Sequence, residues 1–257
     1  MRQPDDNFGE GGGPGGPGGP GGSGEGPQDD RGHSTHQPIF NLPPAVSWTA
    51  GTLIALYVIF LLLPEATQYA VQLDYAFIPA RLGGLPPEAG HLIHDGPLWS
   101  MLTMVSHAGL HGGTTHLVFN VLWLLAFATP VVRAVGTVRY LILFVLSAMA
   151  GAAVYWAVDP GAVVIVIGAS GAVSGMMGAA LRYLFANEPG KPATRRLAPL
   201  TNPRLLMFAG GWLVINLIFG LVGFGAGGEN VQIAWQAHVG GFLAGLLLIP
   251  LFDHRRG

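Results

Sequence analysis

Between Ala45 and Phe252 the chain carries six apolar runs, at about 45–63, 115–135, 138–158, 163–186, 205–224 and 234–252, with no aspartate or glutamate inside any of them. Each approaches the roughly 20 residues that a helix needs to cross a bilayer. Inside hydrocarbon a backbone must satisfy its own hydrogen bonds, so runs of this length fold as helices. Composition agrees, since half of the 257 residues are hydrophobic, 10% are charged and mean hydropathy is +0.47, whereas a soluble domain carries about 25% charged residues. The expectation is an all-α membrane protein, a six-helix bundle over 45–253, in contact with the lipid bilayer.

The flanks are of another kind. Residues 1–44 hold a Gly/Pro block from Gly9 to Gly26, with Pro14, Pro17 and Pro20 at a period of three and Asp5, Asp6, Asp29 and Asp30 around it. Such a segment buries no core and reads as a disordered tail. It has no basic start followed by an apolar stretch, so no cleavable signal peptide is expected. Residues 254–257 form a short polar end. A net charge of -2 and twelve scattered Lys and Arg argue against a nucleic-acid partner, which takes clustered cations. With no cysteine, the chain has no thiolate ligand or thiol nucleophile, so a nucleophile has to be oxygen-based.

The cations fall on one side. Arg133 and Arg139 lie between the second and third runs, Arg182, Lys191, Arg195, Arg196 and Arg204 around the link from fourth to fifth, and Arg255 and Arg256 at the end; the opposite side has Arg81. The positive-inside rule then puts both termini in the cytoplasm and the first long loop, Asp159-Pro160 and Gly225 to Gln232 outside.

Within the fourth run, Ser170 stands between Gly168 and Gly171. A helix running from Ser170 to about Asn187 has roughly seventeen residues and reaches about 26 Å, short of the roughly 30 Å hydrocarbon layer. Ser170 is therefore expected below the outer surface at a helix N-terminus, where unpaired N–H groups and a positive dipole end favour an alkoxide or oxyanion. Residues 162–167 would dip into the membrane as non-helical chain covered by protein or lining a cavity. Gly171, Ser174, Gly175 and Gly178 form a small-residue stripe, and Ala237, Gly241 and Gly245 form a matching one on the sixth run. Stripes of this kind let membrane helices approach closely. His238, at the edge of the second stripe, is thereby brought to Ser170 as a candidate base.

A second cluster, Ser106-His107-Ala-Gly-Leu-His111-Gly-Gly-Thr-Thr-His116-Leu-Val-Phe-Asn120, opens the second run. His116 and Asn120 are four apart, so a helix presents both on one face, where two donors can meet an oxyanion. His107 and His111 share the spacing of paired ligands in some zinc sites. No Glu follows His107 and no carboxylate lies in any run, so the expectation is no metal and no cofactor. A polar pocket open to the outside is expected, lined by Ser106, His107, His111, Thr114 and Thr115.

Taken together these residues resemble the rhomboid family of intramembrane serine proteases, of bacterial type. The likeness rests on Phe77-Ile-Pro-Ala-Arg81, the His107/His111/His116/Asn120 series, Gly168-Ala-Ser-Gly171 with Gly178, and Ala237-His238 with Gly241 and Gly245. The resemblance implies a rhomboid-like bundle with a short central helix starting at Ser170, in a bacterial inner membrane with its site opening outward. It implies that Ser170 and His238 form a catalytic dyad, that His116, Asn120 and the Ser170 backbone N–H form the oxyanion hole, and that His107 and His111 support structure and retain water. Gly168, Gly171, Gly241 and Gly245 are supporting positions, and the implied substrates are transmembrane segments of other membrane proteins.

Two departures from the family pattern stand out. Val132 occupies a position where the family often has Glu, and Ser174 one where some bacterial members have a Tyr that stacks on the histidine. The alternative function is a non-catalytic adaptor that binds transmembrane helices, for which loss of Ser170 or His238 would be expected. A small transporter would carry an internal repeat, and none is found. Oligomeric state is left open by the sequence.

Overall fold

The computed structural model describes residues 41–83, 96–186, 197–222 and 234–253. The tail before residue 41, the segment 225–232 expected outside and the cations Lys191, Arg195, Arg196, Arg255 and Arg256 lie outside the described residues. The helices are α1 (Pro44–Leu61), α2 (Glu65–Tyr75), α3 (Ala80–Gly83), α4 (Pro97–Ser106), α5 (Thr114–Val135), α6 (Thr137–Val158), α7 (Ser170–Leu184), α8 (Pro203–Val222) and α9 (Trp235–Phe252). Among the described residues, α1, α5, α6, α8 and α9 are long and apolar enough to cross a membrane. This is an integral membrane protein built as a helical bundle.

α7 is the exception that organises the rest. At 15 residues it is roughly 22 Å long, and every residue from Gly171 to Arg182 is buried. An apolar helix buried on all sides takes the middle of a bundle, and α7 packs against α5, α6 and α9. Side chains at this centre are small for a physical reason. Helices in lipid gain nothing from leaving an equally apolar solvent, so they associate by van der Waals contact at close range. A methyl group added to Gly241 would run into the carbonyl oxygen of Gly171, and one on Gly245 into that of Gly175. Across the α6 face, a methyl on Gly151 would lie 2.7 Å from the Ala237 oxygen.

The outer packing is more usual. Ala45, Leu53 and Tyr57 of α1 join Leu124, Val131 and Val132 of α5, Tyr140 and Leu143 of α6 and Met176 of α7 in the main core. Val132 is thus an ordinary apolar core residue at the end of α5. The helix stops one turn later at Gly136, whose φ of +84° favours glycine and whose N–H returns to the Val132 oxygen at 2.8 Å. By contrast, only 11% of the apolar stretch of α8 is buried, against 44% for α9.

The long first loop folds back on the bundle through α2, α3 and α4, helices too short and mixed to stand out in the sequence. Phe77 and Val166 pair as an isolated antiparallel bridge, N–H to oxygen at 3.1 and 2.9 Å, and the Ala80 N–H donates to Ala162 at 3.1 Å. These bonds give partners to the non-helical backbone ahead of α7. Arg81 holds the turn by donating to the carbonyls of Ala76 (3.3 Å) and Leu73.

Candidate active site

Ser170 is the first residue of α7, and the first intrahelical bond there runs from the Val173 N–H to Ala169, the N-cap residue, at 2.9 Å. The N–H groups of the first turn therefore point out of the helix toward the serine's surroundings. Just before it, Gly168 has φ +121°, a conformation that L side chains rarely adopt. Its N–H donates to the His107 carbonyl at 2.9 Å. A methyl at Gly168 would lie 2.7 Å from both Cε1 and Nε2 of His116 and 3.6 Å from Ser170 Oγ. The tip of the His116 ring and the serine hydroxyl thus flank the same bare stretch of backbone.

His238 sits in the first turn of α9, and its N–H bonds back to Ala234 at 3.2 Å. Its neighbour Ala237 turns its carbonyl into the gap between Gly151 and Gly171, where a methyl on Gly171 would be 3.4 Å away. The turns bearing Ser170 and His238 therefore meet at one end of the α7–α9 seam. Both side chains are half-buried, as is His116. His116 on α5 is near enough to His238 for their charges to interact.

Asn120 is 4% exposed and its Nδ2 donates to the His116 carbonyl at 2.9 Å, which leaves one amide hydrogen for another acceptor. His111 packs edge-on against His116, ring centres 5.2 Å apart. His107 Nδ1 faces the Thr103 carbonyl at 2.9 Å. Because α4 ends at Ser106 and a short 3₁₀ turn covers His107–Gly109, His107 and His111 do not share a helical face; the i,i+4 geometry of a zinc pair is not formed. Burial pushes the pKa of each down to about 4, so both are neutral imidazoles near neutral pH.

Two hydroxyls expected to line the pocket are already engaged: Ser106 donates to Tyr75 at 2.7 Å, and Thr114 is bonded to the Tyr57 hydroxyl at 3.1 Å. Ser174 is buried on α7, while the partner of the His238 ring is one that the sequence did not single out. Asn216 Oδ1 on α8 lies 2.7 Å from His238 Nδ1, and Asn216 Nδ2 donates to the Trp235 carbonyl at 3.2 Å. Its signal was available, because Asn216 is the one amide side chain in the run 205–224.

A family profile described as "Rhomboid domain" matches residues 97–255. Among curated proteins, RHOMBOID-like protein 5 of Arabidopsis thaliana is 31% identical over 61% of this chain and 45% of its own length. Rhomboid protease GluP of Bacillus subtilis is 29% identical over 60% of this chain and 26% of its own. Rhomboid protease GlpG of Pectobacterium atrosepticum is 33% identical over 56% of this chain and 45% of its own. The chain spans less than half the length of these relatives. The profile covers the loop with the histidine series, the serine turn and α9 in one stretch, and by that match the chain belongs to the rhomboid family.

Proposed function

We propose that this chain is an intramembrane serine endopeptidase in which Ser170 is the nucleophile and His238 the general base. The observation that carries the proposal is the glycine-lined meeting of α7 and α9 at the two turns bearing these residues. Serine Oγ is a weak nucleophile until a neighbouring base takes its proton. In the first step Oγ adds to the scissile carbonyl carbon while His238 Nε2 accepts the hydroxyl proton. Collapse of the tetrahedral species breaks the C–N bond, and the imidazolium gives that proton to the leaving amine. Water then adds to the acyl ester, His238 takes its proton, and the second collapse releases the carboxyl product and returns a proton to Ser170.

The negative charge of each tetrahedral species is met by His116, Asn120 and the N–H groups opening α7, and the helix dipole adds to the same field. In a site shielded from bulk water such a donor contributes about 2.7–4 kcal/mol to the barrier reduction. The substrates of this proposal, transmembrane segments of other proteins, follow from membership of the rhomboid family. The location is a bacterial inner membrane with cytoplasmic termini and a site opening outward, in keeping with the placement of the cations.

The test is cleavage of a fluorogenic transmembrane substrate by the purified protein in detergent, with Ser170→Ala and His238→Ala alongside. Cleavage by the wild type alone is expected. Equal cleavage by all three, or none by a folded wild type, overturns the assignment.

A further inference from the structure

α8 contributes a single polar side chain to the bundle interior, Asn216, which is 7% exposed, and its bonds define a protonation state. The Trp235 carbonyl can only accept, so the amide nitrogen of Asn216 faces it. The amide oxygen is then the atom at 2.7 Å from His238 Nδ1, and since an amide oxygen has no hydrogen, Nδ1 carries the proton and donates. A neutral imidazole with its proton on Nδ1 holds its lone pair on Nε2. That is the tautomer a general base requires.

We infer that Asn216 is a positioning residue for His238: it fixes the ring's orientation and tautomer with Nε2 free, and it accepts from Nδ1–H throughout the proton shuttle. The proposal rests on the protease reading for its catalytic meaning, though the tautomer itself does not. Hydrolases on unrelated folds orient their base through a carboxylate or amide in the same way. Here the amide avoids burying a charge, which an aspartate in this apolar helix would carry. The ionisable group facing His238 from α5 is His116, whose charge state therefore enters any pH profile.

The experiment compares wild type, Asn216→Leu and Asn216→Asp as full chains in detergent, with Ser170→Ala as the inactive control. Leucine keeps the branching at Cγ, though it is somewhat larger, and removes the acceptor; kcat is expected to fall about tenfold or more with KM unchanged. Aspartate restores an acceptor, and its charge stabilises the imidazolium, so activity recovers in part and the acid limb of the pH–rate profile moves to higher pH. A wild-type kcat and pH profile in a folded Asn216→Leu protein overturns the proposal, as does failure of a folded Asn216→Asp protein to exceed Asn216→Leu.

Nitrogen-15 NMR of the His238 ring gives a readout apart from activity. The Nδ1–H tautomer is expected in wild type and a mixture of tautomers in Asn216→Leu. An unchanged tautomer in Asn216→Leu overturns the positioning role even if the protein is a protease. Absence of cleavage together with an Asn216-dependent tautomer leaves this assignment standing and removes the protease reading instead.

Discussion

α9 meets its neighbours in two contrasting ways. Toward α6 and α7 it presents bare backbone: Gly241 and Gly245 lie on the carbonyls of Gly171 and Gly175, and Gly151 admits the Ala237 oxygen. Toward α8 it presents side chains. Trp212 and Phe242 stack at 4.6 Å, Gly220 rests under the Trp235 ring, and Asn216 reaches His238. Backbone contact leaves almost no freedom to adjust, because the atoms that touch cannot rotate away, whereas side chains change rotamer at low cost. The difference teaches where rigidity is placed. The separation of Ser170 and His238 is set by the glycine seam, and the orientation of the His238 ring is set from the looser side.

The contrast can be broken most severely at the seam. Gly241→Ala or Gly245→Ala forces two backbones apart, and overpacking of this kind costs about 3 kcal/mol or more, a fall of about 10 °C in the midpoint of thermal unfolding in detergent. A midpoint unchanged from wild type would mean that the seam yields. Next in size is Gly168→Ala, which adds a methyl 2.7 Å from His116 at a φ of +121°. Displacement of the serine turn is expected to lower kcat about a hundredfold with a much smaller change in unfolding midpoint than the seam variants show.

A milder effect concerns the loop that receives the Gly168 N–H. His107 is neutral in the fold because burial depresses its pKa from 6.5 to about 4. Above pH 6.5 both folded and unfolded states are neutral at this residue and its full stability is present. As pH falls from 6.5 toward 4 the unfolded state takes up the proton first, so stability declines across that window. Thermal melts against pH should show this decline, to which His111 contributes by the same cause, and His107→Gln should make it shallower without abolishing it. The smallest effect is expected on α8, where methyl groups on Gly210 and Gly211 would meet nothing within 4 Å. Gly210→Ala and Gly211→Ala should leave activity intact and add at most about 1 kcal/mol of stability; a loss comparable to that of Gly245→Ala would mean that the cost at the seam does not come from backbone contact.

How much of this was legible in the sequence follows from the range of the forces involved. Uncharged runs near 20 residues announce spanning helices because the bilayer imposes one length and one hydrogen-bonding rule on all of them. The start of α7 at Ser170 was readable from the charge count and the length of the run, and the stripes of Gly171/Gly175/Gly178 and Gly241/Gly245 foretold the close approach. What escaped were contacts between residues far apart in the chain and dissimilar in type. The Phe77–Val166 bridge joins two segments far apart in the chain, only one of them a β-branched run, and α2 and α4 are held by carbonyl acceptors such as Asp74 for Trp99. Ser174 stands out in the sequence by departing from a family pattern, while Asn216 matches no motif and its meaning depends on α8 lying beside α9.

Gly168 bears on how relatives of this chain are sorted. A protein with the serine and the histidine in place is readily counted as an enzyme, yet here the floor between the hydroxyl and the His116 ring tip is a residue without a side chain, in a backbone conformation that others rarely adopt. One added carbon at that spot would leave Ser170, His238, His116 and Asn120 in the sequence and fill the space between the hydroxyl and the His116 ring. Classifying family members as cutting or silent by their dyad alone would miscount such chains; position 168 belongs in the criterion.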